Sequence, residues 1–144
     1  MQYFENAQLG RTIIIRLDPG DYVLESIEKV IEEKGIIDGY ISSAIGTLDY
    51  CVLHMITTTG YPAVNFFEKW DDKPLELSSI SGIIANGQPH LHAVISDKEK
   101  AVAGHLEPGC RTLYLGEVII QEIKSLALRR EKNGNDILEL KMKP

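Results

Sequence analysis

The sequence of 144 residues has little cysteine and no long apolar run, and each absence excludes a class of protein. The two cysteines, Cys51 and Cys110, form no CxxC pair and are too few for a disulfide framework. No apolar run approaches the roughly 20 residues that a membrane-spanning helix needs. The first residues show neither the basic nor the apolar region of a secretory signal. We therefore expect a cytoplasmic protein that does not enter membranes.

Positive charge is also scarce. The chain has 15 Lys and Arg against 21 Asp and Glu, a net charge of −6. This balance opposes binding of phosphate backbones by bulk electrostatics. The densest basic segment, residues 129–132, has no interleaved aromatic residues that could stack on bases. We interpret it as a solvated strand and turn, with a nucleic-acid patch as the alternative.

One segment has the spacing of an amphipathic helix. Apolar residues recur at helical intervals from Val23 to Ile31, and acidic residues occupy the opposite face. Gly35 follows as the expected end of this helix.

Strand signals dominate the rest of the chain. Residues 60–73 carry several aromatic side chains and favour a loop. The length suits one domain, residues 1–144, with its core between about residues 11 and 140. We predict an α+β fold in which a mostly antiparallel β-sheet packs with one main helix. The expected strands are 11–17, 39–45, 48–58, 75–85 and 112–123, followed by a hairpin of 125–131 and 136–141 around Asn133-Gly134.

Three of the four histidines lie in one predicted hairpin. A charged turn at 97–100 sets a register in which His92 lies opposite His105 and His90 lies opposite Glu107. His90 and His92 share a face because side chains alternate along a strand. Opposed residues have Cβ atoms about 5 Å apart. Three imidazoles, with a carboxylate nearby, should therefore converge on one patch of the sheet.

Such a patch is typical of a metal site. Three neutral imidazoles suit Zn²⁺ and leave a fourth position for water or a ligand, although nickel, copper or iron also bind imidazole. We predict His90, His92 and His105 as ligands of a divalent metal, with zinc as the first candidate. Glu107 is a further ligand or a hydrogen-bond partner of an imidazole. Glu117, on the next strand, is either a helper of the patch or a partner across a subunit contact.

The remaining histidine and the cysteines have simpler interpretations. His54 lies on another strand among apolar residues of the same parity, so we interpret it as a core or interface histidine. Cys51 and Cys110 are interpreted as small buried apolar groups. No catalytic residue is assigned, because the chain has no GxSxG elbow, phosphate-binding loop or HExxH motif.

The histidine hairpin also resembles a known family. The segments 87–92 and 103–106, the turn glycine Gly109 and the pair Glu117-Val118 together resemble the PPC domain, the plant and prokaryote conserved domain. The resemblance extends from about Arg11 to Leu140. It implies a compact fold with a mostly antiparallel sheet that assembles as a homotrimer.

Two departures limit what this resemblance implies. Prokaryotic members are often labelled DNA-binding proteins by association with plant proteins that carry AT-hooks. This chain has no Arg-Gly-Arg-Pro hook, so hook-driven binding in the minor groove does not carry over. In addition, one glycine of the family's pair before the third histidine is Ala103 here.

Three functions remain open from the sequence. The first is a metal-binding oligomeric module that binds a small ligand or a protein partner. The second is a DNA-associated regulator of transcription, which rests on family labels and is opposed by the net charge. The third is a metal-dependent hydrolase or lyase, in which Glu107 or Glu117 would be the general base.

Overall fold

A mostly antiparallel sheet dominates the computed structural model, which describes residues 1–5 and 8–143. The predicted α+β class is confirmed, and α1 is the one α-helix of the described residues. In the same part of the chain, no helix has the length and apolarity needed to cross a membrane. The elements are β1 Leu9–Leu17, α1 Val23–Lys34, β2 Asp38–Ile56, β3 Asn65–Ala85, β4 Gln88–Ser96, β5 Ala101–Leu106, β6 Arg111–Ile123, β7 Leu128–Lys132 and β8 Leu138–Met142.

Four of the six strands of the main sheet are closed into a ring. The strand order of this sheet is β1-β6-β2-β3-β4-β5, and β2 also pairs with β5. With 19 residues, β2 is long enough to pair with β6 over most of its length and with β5 near its end. Strands β2, β3, β4 and β5 therefore form a closed ring, and β7 and β8 form a separate hairpin.

The core lies under both the helix and the histidine hairpin. The apolar face of α1 is buried, and the helix ends at Gly35 in the left-handed conformation, as predicted. Under the hairpin, Leu53, Leu91 and Leu106 are at most 1% exposed. Burial of each such side chain stabilises the fold by about 1.5–3 kcal/mol. The outer face of the histidine hairpin therefore lies over a fully buried apolar inner face.

Strand β2 is continuous where the sequence predicts a break. The expected interruption at Gly46-Thr47 is wrong, because these residues pair with Leu77 and Glu76 of β3. Glycine and threonine at this point are part of the ladder and do not form a turn.

Strand β3 begins earlier than the sequence predicts. The expected loop at 60–73 is wrong from Asn65 onward, since this segment pairs with the second half of β2. Pro74 cannot donate to a ladder, yet it lies inside the strand. The strand tolerates Pro74 because regular pairing between β2 and β3 is interrupted nearby. The register shifts between Leu48 and Tyr50 of β2, and Asp72 of β3 has a φ of 49°.

Glu122 is a buried carboxylate whose ionised form is stabilised by Arg11. It accepts hydrogen bonds from the guanidinium (2.7 and 2.9 Å) and from the backbone N–H of Arg11 (2.9 Å). These bonds lower the pKa of Glu122 from 4.5 to about 2. The stabilisation is therefore complete above pH 4.5 and is lost as the pH falls toward 2.

We expect Glu122→Gln to lower the free energy of unfolding at pH 7. The variant should also lose less stability than the wild type between pH 4.5 and 2, because the titrating group is gone. Urea unfolding at a series of pH values measures both effects, with the exposed Glu117→Gln as the matched control. If the free energy of unfolding of the Glu122→Gln variant falls as much as that of the wild type between pH 4.5 and 2, this account is wrong.

Candidate metal centre

All four histidines lie together on the outer face of the closed ring of strands. His92 pairs with His105 across β4 and β5, as the sequence predicts. Leu91 is 1% exposed and points inward, so its neighbours His90 and His92 point outward together. The predicted opposition of His92 and His105 and the predicted shared face of His90 and His92 are both confirmed.

The imidazole rings are in direct contact range. The ring centroids of His90 and His92 are 5.5 Å apart, and those of His105 lie 5.1 Å from His90 and 5.6 Å from His92. His54 stacks on His105 with centroids 4.5 Å apart and planes inclined by 25°. His105 is therefore the centre of the cluster.

The sequence predicts His54 in the core or at an interface; in the structure its partly exposed side chain lies outside the core, and His54 pairs directly with His105. The register shift after Leu48 changes the alternation of β2, so that Cys51 and Leu53 face the core instead. His54 consequently faces outward. Simple parity along the sequence could not reveal this.

Gly104 allows β5 to approach β2 closely enough for this pairing. A Cβ atom at this position would lie 2.8 Å from the backbone oxygen of His54 and 3.2 Å from the Cβ of Leu53. A larger residue would therefore separate the two strands. The glycine beside the third histidine is the sequence signal that could have indicated a close neighbouring strand.

Glu107 joins the cluster through different partners from those expected. The predicted pairing with His90 does not form, because the β4–β5 ladder ends at His92 and His105, two pairs earlier. Instead, the backbone N–H of Glu107 donates to the carbonyl of Val52 in β2 (3.2 Å). One carboxylate oxygen then accepts hydrogen bonds from Nδ1 of His54 (2.5 Å) and Nδ1 of His105 (2.9 Å).

The surroundings favour neutral imidazoles. Burial lowers the pKa of His105, although its hydrogen bond to Glu107 acts in the opposite direction. Partial desolvation, followed by the charges of His105 and Arg130, lowers the pKa of His90. His90 is exposed as a whole residue, but its ring lies against the other imidazoles. The neutral form is the one that binds metals.

One set of described residues has ligand atoms close enough together to hold a metal ion. The ligand atoms of His54, His105 and Glu107 all lie within 4.8 Å of one another. The predicted ligands His90, His92 and His105 lie beside this set with ring centroids 5.1–5.6 Å apart, but their ligand atoms do not all come within 4.8 Å of one another. The structure therefore brings together all three predicted ligands and adds His54, which the sequence analysis missed.

Glu117 lies apart from this cluster. It is exposed on β6, where its backbone pairs with Arg16 of β1 and Ile45 of β2. No hydrogen bond or ion pair joins its carboxylate to any of the four imidazoles, all of which are described. The geometry gives no support to Glu117 as a helper of the histidines.

These features define an α+β protein with a cluster of four histidines and one carboxylate on the face of a closed sheet. The sequence profile of the Plants and Prokaryotes Conserved (PCC) domain matches residues 4–124. The chain belongs to this family, which is the PPC domain that its histidine hairpin resembles.

Solved structures with the same fold support this assignment. A metal-containing protein of Archaeoglobus fulgidus has a TM-score of 0.80 and 26% identity, with 99% of this chain and 100% of that chain covered. A plant- and prokaryote-conserved protein of Pyrococcus horikoshii has a TM-score of 0.77 and 22% identity, with 95% of each chain covered.

A curated relative is much longer than this chain. The bifunctional protein GlmU of a Synechococcus strain is 25% identical over 132 residues, which covers 90% of this chain and 20% of that protein. The chain therefore spans about a fifth of the length of the curated relatives that it matches.

Proposed function

We propose that this chain is a metal-binding module that holds one divalent ion, with zinc as the first candidate, on His90, His92 and His105. The observation that carries the proposal is the spacing of these three rings. In a zinc–imidazole complex each centroid lies about 3.2 Å from the ion, so two rings on a tetrahedral zinc have centroids about 5 Å apart. The three centroid separations in the structure, 5.1–5.6 Å, are close to this value, although the ligand atoms of the three rings do not all lie within 4.8 Å of one another.

Glu107 supports this assignment as the residue that orients the imidazoles. Metal-binding histidines commonly donate their second ring N–H to a carboxylate, which fixes the tautomer and raises ligand basicity. Glu107 engages Nδ1 of His105 in this way and leaves Nε2 for the ion. His54 stacks almost parallel on His105, so the in-plane lone pairs of the two rings do not readily converge on one ion between them. We assign His54 a supporting role through Glu107.

The relatives add support for a module of this kind. The Archaeoglobus fulgidus protein, 26% identical to this chain, is a metal-containing protein. The matching segment in the GlmU relatives forms only a part of a longer protein. A domain that occurs alongside other domains is suited to binding a small ligand or a protein partner at its metal centre.

We also propose that the chain assembles as a homotrimer, which the family resemblance implies. The adjacent strands β2 and β6 expose large apolar side chains: Ile45 is 50%, Tyr114 69% and Leu115 49% exposed. Grouped exposed apolar residues mark protein–protein contacts. Burial against further copies of the chain would remove them from water.

Metal content and molecular mass together test the proposed function. We expect protein purified without chelator to contain about one zinc or related divalent ion per chain, and to have three times the mass of the chain in solution. Elemental analysis and light scattering measure these quantities. Protein that holds no metal, even after incubation with zinc, would contradict the metal-binding proposal. A monomeric mass would contradict the trimer.

Zinc binding should depend on pH in a direction set by the imidazoles. Because the pKa values of His90 and His105 are lowered from 6.5, protons compete little at neutral pH and more strongly as the pH falls below about 6. We expect the affinity to fall at least about tenfold between pH 7.5 and 5.5. Equilibrium dialysis at fixed ionic strength measures this change, and a constant affinity over the range would contradict the imidazole ligands.

Direct binding of DNA and hydrolysis are less well supported. Each copy of the chain adds a charge of −6, which opposes DNA, and the absence of a gel shift at low salt would exclude direct binding. Glu107 is engaged by two imidazoles and is therefore a poor general base. Turnover of simple esters or phosphoesters only in the presence of zinc would favour the hydrolase instead.

A further inference from the structure

The two cysteines of the chain meet inside the core, although they are 59 positions apart. Cys51 lies in β2 and Cys110 immediately precedes β6. Their Sγ atoms are 3.3 Å apart, and both residues are 0% exposed. From the sequence, each is expected to be a small buried apolar group. Their burial is confirmed, but their contact with each other was not foreseen.

The backbone around Cys110 fixes the position of its sulfur. The N–H of Val52 donates to this sulfur at 3.3 Å, and the carbonyl oxygens of Glu107 and Val52 lie 3.3 and 3.5 Å from it. Among the described residues, the group that could hold a metal includes neither cysteine. Two thiols in contact, with no further metal ligand beside them, meet the first condition for a disulfide, which is proximity of the two sulfurs.

We propose that Cys51 and Cys110 form a reversible intramolecular disulfide when the protein reacts with a hydroperoxide. A disulfide has an S–S distance of about 2.05 Å, so the two sulfurs must approach by about 1.2 Å. Rotation of the two side chains must supply this shift. In a reducing compartment the dithiol is the resting state, and the disulfide forms only during oxidation.

The reaction balances with hydrogen peroxide as the oxidant. One sulfur, as its thiolate, attacks the peroxide; an S–O bond forms, the O–O bond breaks, and hydroxide leaves and is protonated to water. The second thiolate attacks the resulting sulfenic acid; the S–S bond forms, the S–O bond breaks, and a second water leaves. The thiols lose two electrons and two protons, and the peroxide gains them. Since both sulfurs are buried, a local opening must admit this small oxidant.

The disulfide would act on the metal centre through Glu107. Movement of the Cys110 sulfur toward Cys51 would weaken its contacts with the Glu107 carbonyl and with Val52, the residue that pairs with the Glu107 N–H. Glu107 would then hold His54 and His105 less firmly. This part of the inference rests on the proposed function, and it predicts zinc binding about tenfold weaker in the oxidised protein.

Mass spectrometry of the whole chain tests the disulfide itself. After treatment with hydrogen peroxide and denaturation, both cysteines should resist alkylation, and a thiol reductant should restore both. Cys51→Ala lacks the second sulfur, so Cys110 in this variant should give a sulfenic acid that dimedone traps. If both cysteines of the oxidised wild type remain open to alkylation, or if they form sulfinic acid without a disulfide, the proposal is wrong.

Zinc titration of the reduced and oxidised proteins tests the coupling separately. Oxidised wild type that a thiol reductant has returned to the dithiol is the matched control, and it should regain the affinity of the protein that was never oxidised. Equal affinities in the two wild-type forms would overturn the coupling and leave the disulfide intact. If neither form binds zinc, the proposed function fails and the coupling with it, whereas the mass measurement still decides whether the disulfide exists.

Discussion

Protein that carries His92→Ala should bind zinc at least about 100-fold more weakly than the wild type. The substitution removes one of three proposed ligands, and loss of a residue that only supports a ligand already costs about 10–100-fold. His92 is exposed on the outer face of β4, so its truncation leaves the leucine core beneath it unchanged. Isothermal titration at pH 7.5 measures the affinity, and circular dichroism verifies the fold.

Two further substitutions decide which set of residues holds the ion. His90→Ala should weaken zinc binding as strongly as His92→Ala, whereas His54→Ala should cost only about tenfold, as expected for a residue that acts through Glu107. If His54→Ala abolishes binding and His90→Ala does not, the ion lies on His54, His105 and Glu107 instead.

The hairpin at the centre of this site could be predicted because its information is local. Asp97 opens the turn between β4 and β5, and its carboxylate accepts hydrogen bonds from the N–H groups of Glu99 and Lys100 (2.7 and 2.9 Å). A turn of fixed length sets the register of both strands. The opposition of His92 and His105 follows from counting outward from that turn.

The rest of the site depends on a contact between distant parts of the chain. Pairing of β2 with β5 joins His54 to His105, and nothing in either segment specifies the other as its partner. The register shift after Leu48 then reverses which residues of β2 face outward. The sequence correctly places Glu107 near the histidines. Its hydrogen bonds to His54 and His105, however, depend on the pairing of β2 with β5. Local patterns therefore predict the ligands better than the residues that support them.

Gly82→Ala should destabilise the protein by about 3 kcal/mol or more. Gly82 lies in β3 opposite Leu91, between the partners of His90 and His92. Its φ of 149° is one that residues with a side chain rarely adopt, and an added Cβ would overlap the carbonyl oxygen of His90. The methyl group would also lie 2.9 Å from the Cα of Leu91, so β4 would have to move away from β3. Backbone strain and overpacking of this kind each cost about 1–3 kcal/mol.

Gly134→Ala provides the matched control, because a Cβ there meets nothing within 4 Å and the residue has no positive φ. We expect this variant to stay within about 0.5 kcal/mol of the wild type in urea unfolding. The Gly82→Ala protein that remains folded should also bind zinc more weakly, since the strand that carries His90 and His92 is displaced as a unit. Wild-type stability in this variant would show that β4 is not held where the ligand geometry requires it. The close contact between β3 and β4 should therefore be needed to keep the proposed ligands of β4 in place.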